Sequence, residues 1–454
     1  MTQPTTSVAA NLAERLGGGK GVFVAIVRAP ELPAGWVEDE RVATGTATSY
    51  RAVGELGGDG RYELTEDTSA EYRTRIVVRR PPPGQFSGTV VVEWFNVSGG
   101  ADAAPDYTFL AEELFRRGHA WVGVSAQLIG VEGGPVAMGV EGGDGIAGVG
   151  IRHLDPARYG SLTHPGDAFS YDIYTQVARA LREGEALGEL IPQRILGVGE
   201  SQSAFALVTY ANGVQPRAAA FDGFLIHSRA AVAFPLGEPG GSIDIIGSIG
   251  GVPTRIREDL DAPVIVVESE TDVLMMNYQA ARQDDTDCFR LWEIAGTAHA
   301  DRFLLGERAD ALDCGCAIND GPQRFVLRAA LYALDGWMRT GEPPTSAERL
   351  VLDERPAFVR DADGIALGGI RTPHVDTPVD VLSGEPGPSG AMACMLLGST
   401  RPIPQPRLLE RYGTAEAYLE VFEAATDAAI GSGFVLAEDR DAVLADARPE
   451  RLHG

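Results

Sequence analysis

The chain has 454 residues, 44% of them hydrophobic, with 38 basic against 64 acidic side chains and a formal charge of -26. That length and apolar content support a buried core in one to three domains, and no apolar run approaches the roughly 18 residues that cross a membrane. The acid excess repels phosphate backbones and anionic lipid, so nucleic acid and membrane are excluded as partners and a small molecule is expected.

Lys20 is the only lysine, which removes Schiff-base and Ser–Lys chemistry. Cys288, Cys314, Cys316 and Cys394 are too few for a disulfide scaffold and lack zinc-ligand spacing, so they read as reduced thiols, with a single bridge as the alternative, and no metal is expected. The segment "MTQPTTSVAANLAERLGGGKGVFVAIV" has no basic stretch followed by an apolar run and a cleavage site. A soluble cytoplasmic protein is the expectation.

In chain order, "TGTATSYRAVGEL" and "YRTRIVVRRPPP" read as early strands, the second stopped by Pro81 to Pro83. "TVVVEWFNV" (89–97) is a continuous apolar run, the mark of a strand buried on both faces. "YTFLAEELFRRGHA" repeats apolar residues at helical spacing, and "HAWVGVSAQ" is the next strand. Strand, helix, strand in this order implies a parallel sheet. Residues 128–166 form a long glycine-rich insertion of the kind that walls functional sites. "DAFSYDIYTQVARALRE" is a helix, "RILGVGES" a strand and turn, "SAFALVTYANG" a helix and "AAAFDGFLIHS" a strand. Residues 229–260 are rich in Gly and Pro and read as a cap. "APVIVVESETDV" and "FRLWEIAGTAH" complete the series of strands, and "PQRFVLRAALYALDGWMRTG" is a long amphipathic helix. The division expected is a main domain at 1–345 and an extension at 346–454 packed onto it.

The turn "GVGESQS" poses the functional question, because a strand–turn–helix junction can raise a nucleophile or cradle a phosphate. As a nucleophile elbow it is G-x-S-x-G with Ser203 in the last position and Ser201 at the apex. An acid and a base should then follow at later strand ends, in the order Ser, acid, His. Asp272 ends "VIVVESETD" and is the acid candidate, with Glu270 as its rival two residues earlier. His299 in "IAGTAHADRF" follows the last strand. Of the seven histidines it alone comes after the acid at that strand, where the order requires the base. His119, His153, His164, His227, His374 and His453 have structural or pocket-lining readings. The oxyanion should be held by the backbone N–H of Gln202, the residue after the nucleophile, and by a second donor in Asn96 to Gly100, for which Val97 is the candidate. Trp94, Phe95, Tyr159 and Tyr171 are candidates either for pocket lining or for core.

The phosphate reading takes G-x-G-x-x-S as a nucleotide-cofactor fingerprint, with Asp222 as the ribose acid. It lacks the third glycine and leaves Asp272 and His299 unexplained. A non-catalytic binding module is the other alternative.

These residues resemble the α/β-hydrolase superfamily, and more narrowly the bacterial "alpha/beta hydrolase domain" family of serine esterases. The resemblance spans nearly the whole chain. It is carried by "VVVEWFNVSGGAD", "HPGDAFSYDIYTQVARAL", "GVGESQSAFAL", "FDGFLIHSR", "VESETDV", "GTAHAD", "INDGPQRFVLRAAL" and "GGIRTPHVD". It implies an α/β fold with a mostly parallel eight-stranded sheet and helices on both faces, with Ser201 and His299 as nucleophile and base and Asp272, with Glu270 still its rival, as acid. The reaction expected is cofactor-independent hydrolysis of a carboxylic ester or lactone.

Overall fold

The computed structural model describes residues 8–25, 30–138 and 145–453. The central part of the 128–166 insertion, 139–144, lies outside the described residues.

Eight strands form one sheet: β1 (Val37–Ala52), β2 (Leu64–Arg80), β3 (Thr89–Trp94), β4 (Ala120–Val124), β5 (Arg194–Glu200), β6 (Gly223–His227), β7 (Val264–Ser269) and β8 (Phe289–Ile294). Their order is β1-β2-β4-β3-β5-β6-β7-β8. β1 and β2 are antiparallel to each other, and β2 is antiparallel to β4. The remaining pairs are parallel, so β3 to β8 all end on one edge.

The apolar runs of the central strands follow from burial on both faces. Side chains alternate across a strand. Val90, Val92, Ile195, Ile226 and Val266 pack on one face with the helices Ser170–Arg182 and Gln202–Thr209. Val91, Leu196, Val198, Leu225 and Val267 pack on the other with Pro105–Arg117 and Gln323–Thr340. β1 and β2 are longer than their apolar stretches suggest. Their outer halves, such as Thr65 to Ser69, are largely exposed and polar, and they are carried as strand by antiparallel pairing alone.

The C-terminal residues contact the sheet in several places. Ile370 adds a parallel bridge to Ile294 beside the β8 edge, with Ile370 N donating to Glu293 O and Ala295 N to Ile370 O. An uncovered strand edge is a site for unwanted pairing, and this segment covers it. Phe434 packs edge-on against Trp292. Asp439 pairs with Arg116 and Arg328 from the two helices of one face.

Cys314 and Cys394 form a disulfide across 80 residues of sequence, the single bridge left open beside the reading of reduced thiols. Cys288 and Cys316 are free. Among the described residues, no helix is long and apolar enough to cross a membrane.

Candidate active site

Ser201 sits at the tight turn between β5 and the helix Gln202–Thr209, with φ 56° and ψ -118°. A left-handed backbone at a non-glycine residue is strained and persists only where neighbours fix it. Here Ser201 N donates to His227 O at 2.9 Å and Ser201 O accepts from Phe205 N at 3.1 Å. Gly199 permits the close strand–helix approach, since a Cβ there would lie 3.0 Å from Leu207 Cδ1 and 3.1 Å from Ser203 O. The serine in the last motif position is accommodated. Ser203 Oγ donates to Glu200 O at 2.8 Å and accepts from Glu200 N at 3.1 Å, stapling the turn.

The structure brings Ser201, His299 and Asp272 together from three strand ends. His299 Nε2 is 2.9 Å from Ser201 Oγ, and His299 Nδ1 is 2.6 Å from Asp272 Oδ1. Asp272 is wholly buried and His299 is 4% exposed, while Ser201 is half-buried. Burial would push the Asp272 carboxyl up, but the His299 charge and bonds from His299 and Ser269 outweigh it and hold it below the usual range. Burial likewise opposes charge on His299, yet Asp272, aided by Glu200, lifts its pKa to about 8. The arrangement can pull a proton from Ser201 Oγ and stabilise the imidazolium that results.

Glu270 takes a different place. It accepts from Gly296 N at 2.6 Å and from Gly384 N at 2.9 Å, and Arg360 lies 3.6 Å from it. It ties the loop that carries His299 to the C-terminal residues. The approach is close enough that a Cβ on Gly384 would lie 2.4 Å from Glu270 Cβ. Of the two acid candidates, the one against the imidazole is Asp272.

The loop after β3 faces the elbow. Asn96 Nδ2 donates to Glu200 O at 3.0 Å and to Glu200 Oε2 at 3.1 Å. Val97 N donates to the Gln202 side-chain oxygen at 2.9 Å, so the expected second oxyanion donor already has a partner in this structure. Gln202 Nε2 continues to Gln127 Oε1, which also accepts from Trp94 Nε1. Gln127 in turn reaches Asp167, whose carboxylate accepts from Leu128 N at 2.7 Å and Ile243 N at 2.8 Å. One polar chain therefore links the elbow to both insertions. The Gln202 backbone N–H, the other expected donor, stands at the first position of its helix, where an amide has no carbonyl one turn back in the helix to donate to.

The four candidate aromatics are core. Trp94, Phe95, Tyr159 and Tyr171 are at most 2% exposed, and the hydroxyls of the tyrosines are spent on Glu40 and Pro235 O. His227 is buried and bonded through Nδ1 to Asp106 Oδ1 at 3.0 Å. His119 contacts Ser87 Oγ, and His164 Nε2 contacts Ala126 O. Asp222, the acid of the cofactor reading, precedes β6 and so lies at the edge of the sheet away from Ser201. It accepts there from Ile195 N and Arg182, each at 2.7 Å. That placement leaves the cofactor reading without its ribose acid. Among the described residues, no group of His, Cys, Asp or Glu is arranged to hold a metal ion.

Sequence reasoning passed over Glu200. Its carboxylate lies 3.4 Å from His299 Nε2. The only signal was an acid in the variable position before the nucleophile. It also passed over Arg75, which is fully buried between Glu40 at 2.5 Å and Asp102 at 2.9 Å and so pins the loop after β3.

Weak structural similarity exists to an esterase of Rhizomucor miehei, with 11% identity, 70% of this chain and 87% of that chain covered and a TM-score of 0.35. An α/β serine hydrolase without lid from Xanthomonas campestris gives 15% identity, 70% and 99% coverage and a TM-score of 0.31. An α/β serine hydrolase homologue from Coxiella burnetii gives 12% identity, 49% and 82% coverage and a TM-score of 0.28. No curated protein sequence matches. A family model described as "Alpha/beta hydrolase domain" matches residues 7–445. With that match across nearly the whole chain, and a mostly parallel sheet of eight strands beneath it, the chain belongs to the alpha/beta hydrolase domain family.

Proposed function

We propose that the protein is a cofactor-independent serine hydrolase that cleaves a carboxylic ester or lactone through an acyl-enzyme. The observation that carries this reading is the unbroken pair of bonds from Ser201 Oγ to His299 Nε2, 2.9 Å, and from His299 Nδ1 to Asp272, 2.6 Å. In the first step His299 Nε2 takes the Ser201 proton while Oγ bonds to the carbonyl carbon. The carbonyl oxygen becomes an oxyanion held by the Gln202 N–H, as the residue after the nucleophile is placed to do. The imidazolium then gives its proton to the leaving oxygen as the ester bond breaks. Water attacks the acyl-enzyme by the same route in reverse, and the acid leaves. Asp272 keeps the imidazole in the tautomer that presents Nε2 to serine.

The charge of -26 supports a small-molecule substrate and not a nucleic acid. The Cys314–Cys394 bond supports an oxidising location, where such bonds persist, over the cytoplasmic one expected from sequence.

A panel of p-nitrophenyl esters and simple lactones tests the activity. Hydrolysis by the native chain that Ser201→Ala and His299→Ala each reduce by about a thousandfold or more supports it. Hydrolysis unchanged in Ser201→Ala sinks it.

A further inference from the structure

Glu200 takes no part in the mechanism above, yet its carboxylate stands at the reacting nitrogen. Glu200 Oε1 is 3.4 Å from His299 Nε2, the atom that exchanges the proton with Ser201. Oε2 is fixed by Asn96 Nδ2 at 3.1 Å. The side chain is 5% exposed. His299 is thus bracketed by two carboxylates, Asp272 at Nδ1 and Glu200 at Nε2.

A purely structural role does not explain the acid. Of the two Asn96 Nδ2 N–H groups one goes to the Glu200 backbone oxygen at 3.0 Å and the other to Oε2 at 3.1 Å, a bond that the neutral oxygen of a glutamine would accept as well, so it calls for no ionisable acid. Burying an ionisable carboxyl costs free energy unless a cation answers it. The charged groups that bear on Glu200 are His299, His227 from β6, Asp106 from the helix packed against His227, and Asp272. No lysine or arginine is among them. His227 is its register partner on β6, but His227 Nδ1 is already engaged by Asp106. Among the described residues the imidazole nitrogen within ion-pair distance of Glu200 is His299 Nε2, at 3.4 Å, while His227 acts on it from farther away.

We propose that Glu200 is a positioning residue for His299: its carboxylate, fixed by Asn96, stabilises the imidazolium from the Nε2 side and so sets the pH at which His299 works as a base. This rests on the reading of Ser201 and His299 as nucleophile and base. No bond to Glu200 forms or breaks. The proton still passes from Ser201 Oγ to Nε2 and on to the leaving oxygen, and Ser201 holds the direct hydrogen bond to Nε2. Glu200 acts through charge. A negative group at that distance favours the protonated ring. The transition state, in which the ring becomes cationic, is lowered. The resting base is also protonated to a higher pH. Burial lifts the Glu200 carboxyl to about 7 against the pull of His299, which leaves it ionised where His299, at about 8, gives up its proton.

The test is the rate of serine labelling by a fluorophosphonate probe against pH, for the native chain and Glu200→Gln. The native rate should rise through about pH 8. In Glu200→Gln the midpoint should fall by about one pH unit and the plateau rate by about tenfold. A structural role alone would lower the rate without moving the midpoint, so a labelled variant with an unmoved midpoint overturns the proposal and leaves the hydrolase reading intact. Failure of the folded native chain to label overturns both. Should Glu200→Gln not fold by circular dichroism, Glu200→Asp draws the charge back by one methylene. It should shift the midpoint in the same direction by less, and an unmoved midpoint there is equally contrary.

Discussion

Ser269 and Asp272 cap each other. Ser269 N and Oγ donate to Asp272 Oδ2 at 2.7 and 2.6 Å, and Asp272 N donates back to Ser269 Oγ at 3.3 Å. This reciprocal cap opens the short helix Glu270–Leu274 and fixes the Asp272 side chain at its third position. One carboxylate oxygen is consumed by the cap, and the other is left facing His299.

The two candidate acids should therefore separate by mutation. Asp272→Asn leaves the cap largely intact but removes the charge and misorients the imidazole. Esterase kcat should fall by roughly 10³ to 10⁴ with little change in Tm. Glu270→Gln loses the charge answering Arg360 and weakens acceptance from Gly296 and Gly384. It should lower stability by about 1–3 kcal/mol and change kcat by much less. Steady-state kinetics beside thermal melts of both variants check this.

The pH dependence follows from His299. With its pKa at about 8, the ring is protonated and useless as a base at lower pH, and neutral above it. kcat/KM for a neutral ester should climb as pH rises through about 8, later than an ordinary imidazole near 6.5 would give. A rise centred at or below that ordinary value would show that the carboxylates around His299 do not hold its proton as described.

Arg75 should matter for stability far more than its distance from Ser201 in sequence suggests. It is the cation between two wholly buried carboxylates, Glu40 and Asp102. Arg75→Leu leaves Asp102 without its cation, while Glu40 keeps Arg158 at 2.5 Å, and should destabilise the fold by about 3–5 kcal/mol. Asp102 belongs to the loop after β3, so activity should fall with it. Urea unfolding of the variant measures the first effect and ester hydrolysis the second.

Reducing the Cys314–Cys394 bond, or replacing Cys394 by Ser, should cost about 2–4 kcal/mol, because the bond closes a long loop in the unfolded chain. The effect should reach the site. Ala300 N, next to His299, donates to Leu396 O, two residues from Cys394. Calorimetry with and without reductant should show a lower Tm, and hydrolysis at a temperature near that Tm should be lost first in the reduced protein.

Much of this was legible in the residues. β3 to β8 announce themselves because burial on both faces demands continuous apolar runs, as in Val90 to Val92 and Val264 to Val267. Ser201 and His299 were readable from motif and order along the chain. The choice of Asp272 over Glu270 was present as the capping pattern "SETD", which periodicity does not capture. The Val97 N–H was a sound candidate by position, but its bond to Gln202 Oε1 depends on a rotamer no sequence shows. Glu200 was hidden because a carboxylate in a turn is ordinarily solvated, and only the folded approach of β8 brings His299 against it. Glu40, Arg75 and Asp102 come from three separate segments, and Cys314 and Cys394 are 80 residues apart, so their pairings exist only in three dimensions.

The measurement that bears most directly on the central claim is to react the folded protein with a fluorophosphonate probe and locate the adduct by mass spectrometry. The account predicts one adduct, on Ser201, absent from Ser201→Ala and strongly reduced in His299→Ala. An adduct on another residue, or labelling that persists in Ser201→Ala, would contradict it.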